Sequence, residues 1–362
     1  VRVGLVYESK AWFPFNGEDP RDWNSELLAE TEVEELVEGL RAAGHHVVLI
    51  GDTMKLLTKI EQWRRDCDIV LNKSVGYRGI ERKSRAAAIL EEAAIPYVGS
   101  TPYVLSLTRN KFHTKLVVAQ AGVPTPPATL LFAGLPDTLS EIPYPAIVKP
   151  VAESSSIGIE TGKAVVQSPS EARQRATELY QRYQQPVLVE TFIPGVEMEV
   201  PLLIDPTPRA LLAVAIGINQ QLPPADFYLA SDCVYDDKYD FVEPPSTINK
   251  TRVVETAVRA AQALGMRDYG RIDFRIDASG QPWFIEASTH PHIQHHSSFY
   301  LAAHRRGMSY GAMLNELLQA GARRYGLGTV KMLGYTNGHT REAADQQSVR
   351  LEPGETLAAQ VS

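Results

Sequence analysis

Two carboxylates, Asp273 and Glu286, flank a turn in the run Arg271-Ile272-Asp273-Phe274-Arg275-Ile276-Asp277, Ala278-Ser279-Gly280-Gln281, Pro282-Trp283-Phe284-Ile285-Glu286-Ala287-Ser288. Apolar–polar alternation on both sides of the small, turn-prone residues predicts a β-hairpin. Side chains alternate along a strand, so Arg271, Asp273 and Arg275 share one face, and Glu286 shares a face of the returning strand with Ser288. Pairing the strands brings Asp273 beside Glu286. Adjacent carboxylates repel unless a cation lies between them. The simplest cation is Mg²⁺, which takes a few carboxylate oxygens together with nucleotide phosphates. A metal–nucleotide site is therefore expected, with Asp273, Glu286 and Ser288 as ligands and Mn²⁺ able to substitute.

Two earlier segments could serve the same nucleotide. Lys149 ends the strand-like run Ala146–Lys149, and Glu153-Ser154-Ser155-Ser156-Ile157-Gly158 follows it. A loop of small polar residues can turn amides and hydroxyls toward phosphate oxygens. Read alone, it is more readily a solvated turn with a surface lysine. Val187-Leu188-Val189-Glu190-Thr191-Phe192-Ile193, then Glu197, offers an apolar strand for a purine. Glu190 would accept from an exocyclic amine and Glu197 from ribose hydroxyls. Alone, this too reads as a buried strand followed by an exposed acid. No P-loop is present, because Gly158 to Gly162-Lys163 is one residue short and Ala164 replaces the Ser/Thr. The order favours the functional reading: phosphate loop, purine strand, metal hairpin.

The elements that must carry these groups alternate early in the chain. Val1–Tyr7, Val47–Ile50, Asp68–Leu71 and Pro96–Gly99 read as strands. Helices are expected around Val33–Leu40, stopped by Gly44, and over Arg85–Ala94. This is a βαβ pattern with a parallel sheet, assigned to residues 1–108. An aromatic insertion, Lys10–Asn24, interrupts it. A helix at Asn110–Ala121 opens a smaller α+β piece, 109–190, in which Ser168-Pro169-Ser170-Glu171 caps a second helix. The third piece, 191–330, holds strands near Glu197–Ile204 and Leu211–Ile218, a helix over Lys250–Leu264, and the hairpin. Between them, Asn219–Ser246 is long enough to act as a lid. Residues 331–362 are a polar tail.

With 44% hydrophobic and 22% charged residues, the 362-residue chain has the composition of an ordinary globular protein of two or three domains. Its net charge of −7 argues against nucleic acid as a partner. The longest apolar run, Ala210–Ile218, is far short of a membrane span. Only Cys67 and Cys233 occur, far apart, and no leader pattern is read ahead of Val1–Tyr7, so a cytoplasmic location is expected.

The ordered set of motifs resembles the ATP-grasp superfamily, and within it the D-alanine–D-alanine ligases, from about Asn72 to about Leu317. Lys149–Gly158 looks like the family's lysine loop, with a Ser where its Gly usually sits. Pro96–Ser100 and Asn110–Lys115 are similar to its interdomain segment, Lys238-Tyr239 to its mobile loop, and Gly307–Tyr310 to the start of its last helix. The resemblance implies an ATP-grasp fold preceded by a parallel-sheet N-terminal domain, in an α/β and α+β multidomain chain. It also implies an ADP-forming ligase. A substrate carboxylate takes the γ-phosphate of ATP to give an acyl phosphate, and an amine displaces phosphate to leave an amide. Lys111, Lys149 and Lys238 would hold phosphates, aided by Glu153, Ser155 and Ser156. Glu190, Phe192 and Glu197 would bind the nucleoside. Arg271, with a backbone amide near His292, would stabilise the oxyanion. Ser297 would hold the carboxylate of the second amino acid, with His292 and His296 beside it. Tyr239, where ester-forming relatives tend to carry His, points to an amine nucleophile. The partners implied are a small carboxylic acid and an amino acid, and relatives suggest a homodimer.

Three departures gather where the first substrate would sit. The early ammonium-binding glutamate of the family aligns with Leu27, although Glu8, Glu26 and Glu30 are near. Asn72–Gly79 replaces the family's His/Gly/Glu/Asp/Gly motif, and the Lys10–Asn24 insertion is foreign. A donor other than D-alanine is therefore expected. The alternative is a ligase of specialised metabolism joining an amino acid to a non-peptide acceptor, as similar mycosporine-like amino acid ligases do. An ATP-grasp kinase is a further alternative, opposed by the Arg271 and Ser297 matches. Ser288 stands where the family usually has Asn, which puts a second metal position in question. His290, His292, His295 and His296 raise a zinc alternative, but neither cysteine is near and the resemblance puts them in a substrate loop.

Overall fold

A computed structural model describes residues 1–13, 20, 22–132 and 138–328. The expected tail and residues 14–19 and 21 of the insertion lie outside them. Strands β1 (Arg2–Val6), β2 (His46–Gly51), β3 (Ile69–Asn72) and β4 (Tyr97–Val98) form a parallel sheet in the order β2-β1-β3-β4. Val, Leu and Ile dominate these strands because helices cover both faces of such a sheet. The helices between them are α1 (Glu30–Ala42), α2 (Thr53–Thr58), α3 (Ile60–Asp66) and α4 (Arg85–Glu92). Val33, Leu36, Val37 and Leu40 recur at helical spacing on α1 and are all buried.

Next come α5 (Pro102–Arg109) and α6 (Lys111–Gln120), separated only by Asn110. Asn110 ends the first helix and caps the second, its side chain accepting from the His113 amide at 3.0 Å. That cap fixes Lys111 at the first position of α6, with Lys115 one turn later on the same side. The second sheet is antiparallel, ordered β5-β8-β6-β7 from β5 (Ala128–Leu131), β6 (Ala146–Pro150), β7 (Val165–Val166) and β8 (Val187–Thr191). Against it lies α7 (Pro169–Tyr183). Its start follows the sequence signal: Ser168 Oγ accepts from the Glu171 amide at 3.3 Å, and Glu171 accepts from the Gln167 amide at 2.9 Å.

The third sheet is built from β9 (Val196–Ile204), β10 (Pro208–Ala210), β11 (Val214–Gly217), β12 (Asp240–Val242), β13 (Asp268–Ile276) and β14 (Pro282–Ser288). Its order is β12-β11-β9-β13-β14, with β10 beside β9. The long segment expected as a lid contains β12 and the short α8 (Ser231–Tyr235). Helix α9 (Lys250–Leu264) packs a stripe of Val253, Ala257, Ala260, Ala261 and Leu264 on the sheet. The hairpin turn is tied by Asp277, whose carboxylate accepts from the Ser279 amide at 2.8 Å, the Gln281 amide at 3.0 Å and Trp283 Nε1 at 2.8 Å. This sets a register that puts Asp273 directly opposite Glu286, with a bulge just after Asp273. On its other edge, β13 pairs with β9, placing Asp273 opposite Glu199 and Arg275 opposite Glu197. Three neighbouring strands thus present their charges on one face.

Helices α10 (Ser298–His304) and α11 (Tyr310–Arg324) end the described chain. Met313, Leu314, Leu317 and Leu318 of α11 share one core with Leu5, Leu36, Leu40 and Leu71 of the first sheet and its helix. The approach of α1 to α11 requires Gly39, where a Cβ would stand 2.5 Å from the Tyr310 ring. Among the described residues, no helix is long and apolar enough to cross a membrane.

Candidate active site

The second and third sheets face each other across a cavity whose wall includes Lys111, Lys149, Ser155, Phe192, Asp273 and Glu286. The two carboxylates of the hairpin are neighbours there, each already facing a cation. Arg271 donates to Asp273 from Nε at 2.7 Å and Nη2 at 2.8 Å, and its Nη2 lies 3.1 Å from Glu199. Lys111 Nζ lies 3.0 Å from Glu286 and also donates to the Glu153 carbonyl. Burial pushes both carboxyls up. For Asp273 it prevails over Arg271, whereas for Glu286 the two lysines Lys111 and Lys149 outweigh it. Glu199 is pushed to about 7, chiefly by burial, and its second oxygen has no hydrogen-bond partner among the described residues.

Behind the cavity sits a triad that the sequence reading did not contain. Glu190 lies between Lys149 at 2.5 Å and Lys115 at 2.6 Å, and all three are buried. Burial lowers Lys115 to about 8, while Glu190 opposes the shift. The Glu190 carboxylate therefore holds two lysines in place. It also lines the cavity, where it was expected as acceptor for an exocyclic amine. Lys115 was findable, since it stands four residues after Lys111 on one helix.

The loop after Lys149 folds back sharply. Ser155 and Ser156 adopt left-handed backbone, with φ of 52° and 55°, and both line the cavity. Such a conformation costs a non-glycine residue about 1–2 kcal/mol and clusters at functional sites. Ser156 Oγ donates to the Leu229 carbonyl at 2.7 Å. The insertion reaches this loop as well. Asp22 accepts from the Gly158 amide at 2.9 Å and from the Tyr183 hydroxyl at 2.9 Å. Farther along, Phe192 lies under the Arg275 guanidinium, 4.7 Å from its ring centroid, with Tyr228 edge-on at 6.1 Å. Glu197 lines the same wall, 3.2 Å from Arg275.

Not every expected residue reaches this wall. Glu153 does, but its carboxylate is bound by Arg82 at 2.7 Å and Arg109 at 2.9 Å. It joins an ion network instead of facing a phosphate. Ser288, Tyr239 and His292 line the cavity, and His292 Nδ1 lies 3.3 Å from Glu32. Lys238 is exposed and bonded to Asp236 at 2.5 Å. His296 pairs with Asp237 at 2.7 Å. Ser297 is buried as the cap of α10, donating to the Gln294 carbonyl at 2.6 Å and accepting from the Tyr300 amide at 3.0 Å. The histidine loop shows no cage, as His295 pairs with Glu35 at 2.5 Å. Among the described residues, no three or more His, Cys, Asp or Glu side chains converge to hold a metal.

The far end of the cavity is walled by Glu26, Val75, Lys83, Ser154 and His290. Glu26 reaches it, whereas Leu27 is buried in the core. Glu26 accepts from Arg109, Arg82 and the Ser154 amide. Burial opposes its ionisation, but Arg109, Lys83 and Arg82 hold it well below the usual carboxylate range. The sequence reading had no signal for Arg82, Lys83 and Arg109, which lie outside every motif it used.

Residues 133–319 match the family described as D-ala D-ala ligase C-terminus. An uncharacterised protein of Sinorhizobium fredii is 30% identical over 84% of this chain and 90% of its own length. The D-alanine–D-alanine ligase of Bordetella petrii is 33% identical over 64% of this chain and 70% of its own. In structure, the chain is similar to a D-alanine–D-alanine ligase from Bacillus anthracis complexed with ATP. That match has a TM-score of 0.67 and 20% identity, covering 90% of this chain and 98% of the other. The VanG D-Ala:D-Ser ligase of Enterococcus faecalis follows at TM-score 0.65 and 19% identity, covering 88% and 99%. A parallel sheet followed by two antiparallel sheets around one charged cavity is thus the ATP-grasp fold, and the chain belongs to the D-alanine–D-alanine ligase C-terminal family, ATP-grasp ligases that form carbon–nitrogen bonds.

Proposed function

We propose that this protein is an ADP-forming carboxylate–amine ligase that uses ATP and passes through an acyl phosphate. The observation that carries the reading is the convergence of Asp273 and Glu286, opposite each other on β13 and β14, with Lys111 and Lys149 on one cavity wall. Lysines arriving from α6 and β6 at a paired carboxylate suit a polyphosphate better than any uncharged ligand.

The donor set fits Mg²⁺. Asp273, Glu286 and Ser288 offer only oxygen and line the cavity, and two carboxylates leave room for phosphate oxygens and water. When bound, the ion would neutralise charge on those oxygens. Lys111 and Lys149 then orient the phosphates, with Lys149 fixed by Glu190. Arg271 offers its guanidinium to an oxyanion on the reacting carbonyl. Donors of this kind contribute about 2.7–4 kcal/mol in other enzymes. Phe192 and the β8 backbone form a wall for the purine, and Glu197 accepts from the ribose. Ser155 and Ser156 flank the transferring group, and Tyr239 on the β12 side helps exclude water from the acyl phosphate.

The donor is not a simple D-alanine. Glu26, the carboxylate available at the far end, is already saturated by Arg109, Arg82 and Lys83, so it has no oxygen to spare for an α-ammonium. This supports a ligase outside cell-wall dipeptide synthesis, joining an amine to a different acid. The test is ADP release from the full chain with ATP, Mg²⁺ and a matrix of acids and amines. ADP that appears only when both an acid and an amine are present is expected, and Asp273→Asn or Glu286→Gln lowers it by at least about 100-fold. ADP formed without any amine, accompanied by a stable phosphorylated product, would point to a kinase and overturn the reading.

A further inference from the structure

The far end of the cavity holds more cations than carboxylates. Glu26 accepts at 2.7 and 2.9 Å from Arg109 and at 2.8 Å from Arg82, with Lys83 Nζ 3.1 Å away. The other carboxylate, Glu153, serves the same two arginines. Lys83 also donates to Ser154 Oγ at 2.7 Å. Lys73 lies behind them, 4% exposed, donating to the Pro291 carbonyl at 2.7 Å. Among the described residues it forms no ion pair. Glu32, which acts on it electrostatically, is already bonded to the Ala29 amide at 2.6 Å and faces His292. His290 is 8% exposed on the cavity wall, and both its ring nitrogens lack hydrogen-bond partners among the described residues.

Buried cations without counter-charges are costly, as is an unpartnered buried imidazole. Burial with incomplete pairing draws Lys83 down to about 8 and Lys73 to about 7. An α-ammonium arriving here would meet guanidinium and ammonium groups and find no carboxylate oxygen open to it. An anion would complete the set.

We infer that the acyl donor is a dicarboxylic acid, one carboxylate being activated beside Lys149 and Arg271 while the other docks on Lys83 with a ring nitrogen of His290 donating to it. This rests on the ligase reading above and names its substrate class. The second carboxylate makes and breaks no covalent bond. It replaces water and supplies the charge that Glu26 and Glu153 do not.

The test supplies the full chain with ATP, Mg²⁺ and hydroxylamine, which traps any acyl phosphate as a hydroxamate and removes the need to know the natural amine. Succinate, glutarate and adipate are compared with their own monoamides, which match them in size, and with D-alanine. A kcat/KM for at least one diacid about 10–100-fold above that of its monoamide is expected, the worth of one charge-assisted hydrogen bond. Lys83→Met, checked for folding by circular dichroism, should erase that preference, and Lys83→Arg should retain most of it. Should Lys83→Met not fold, the diacid–monoamide comparison on the unaltered protein still decides. Monoamides or D-alanine equal to or better than the diacids would overturn the inference and leave the ligase reading standing. No hydroxamate and no ADP with any acid would overturn the ligase reading and this inference with it.

Discussion

Glu190→Gln isolates what the buried lysine triad contributes. The carboxylate lies 2.5 Å from Lys149 and 2.6 Å from Lys115, and the three residues are 1%, 3% and 3% exposed for Glu190, Lys149 and Lys115. Glutamine keeps the shape and removes the charge, leaving two buried ammoniums facing each other. Removing one partner of a buried ion pair costs about 3–5 kcal/mol. Part of the strain is relieved if Lys115, already drawn down to about 8 by burial, sheds its proton. The assay is urea denaturation followed by circular dichroism, with the loss of unfolding free energy as readout. Because deprotonation becomes cheaper as pH rises, the loss should shrink between pH 7 and pH 9. A Glu190→Gln, Lys115→Met double variant should recover a substantial part of it, because only one buried ammonium remains. A loss below about 1 kcal/mol, or strict additivity in the double variant, would refute the claim that Glu190 exists to hold the two lysines.

Three further outcomes follow from the same geometry. Glu197→Gln removes a charged acceptor from the nucleoside wall and should raise the KM for ATP about 10–100-fold with little change in kcat, read by coupled ADP release. Lys73 carries a folded-state pKa of about 7, below the unfolded value of about 10.4. The unfolded chain therefore holds more protons between those values, and stability should rise with pH from 7 to 9. Lys73→Met should flatten that slope in denaturation midpoints, and a slope unchanged by the substitution would contradict the assignment. Ser297→Ala removes the cap of α10 and should cost about 1 kcal/mol, measurable in the same denaturation experiment.

The motif-bearing elements were legible because their signals are local. Alternation and the Asp277 turn predicted the hairpin, and the register confirms that Asp273 and Glu286 are opposed. The cap at Ser168 announced α7. What stayed hidden depends on contacts distant in sequence. Nothing near Glu190 in the chain shows that Lys115, 75 residues earlier, shares its pocket. Glu153 looked like part of the phosphate loop until Arg82 and Arg109 claimed its carboxylate. Short elements such as α2, α3 and β7 lack enough periodicity to be read. The cationic far end was invisible because Lys73, Arg82, Lys83 and Arg109 follow no single-strand or single-helix spacing. Tertiary folding alone gathers them around Glu26.

The return of α11 to the first sheet has a consequence for how the molecule is made. Leu36 and Leu40 complete their packing only when Leu314, Leu317 and Leu318 have left the ribosome. Until then the opening βαβ unit displays an oily flank, and Gly39 leaves a notch with no tyrosine to fill it. The face of α1 is thus sealed only after α11 has been made, so a nascent chain stalled before residue 310 is a natural client for chaperones that shield apolar surface.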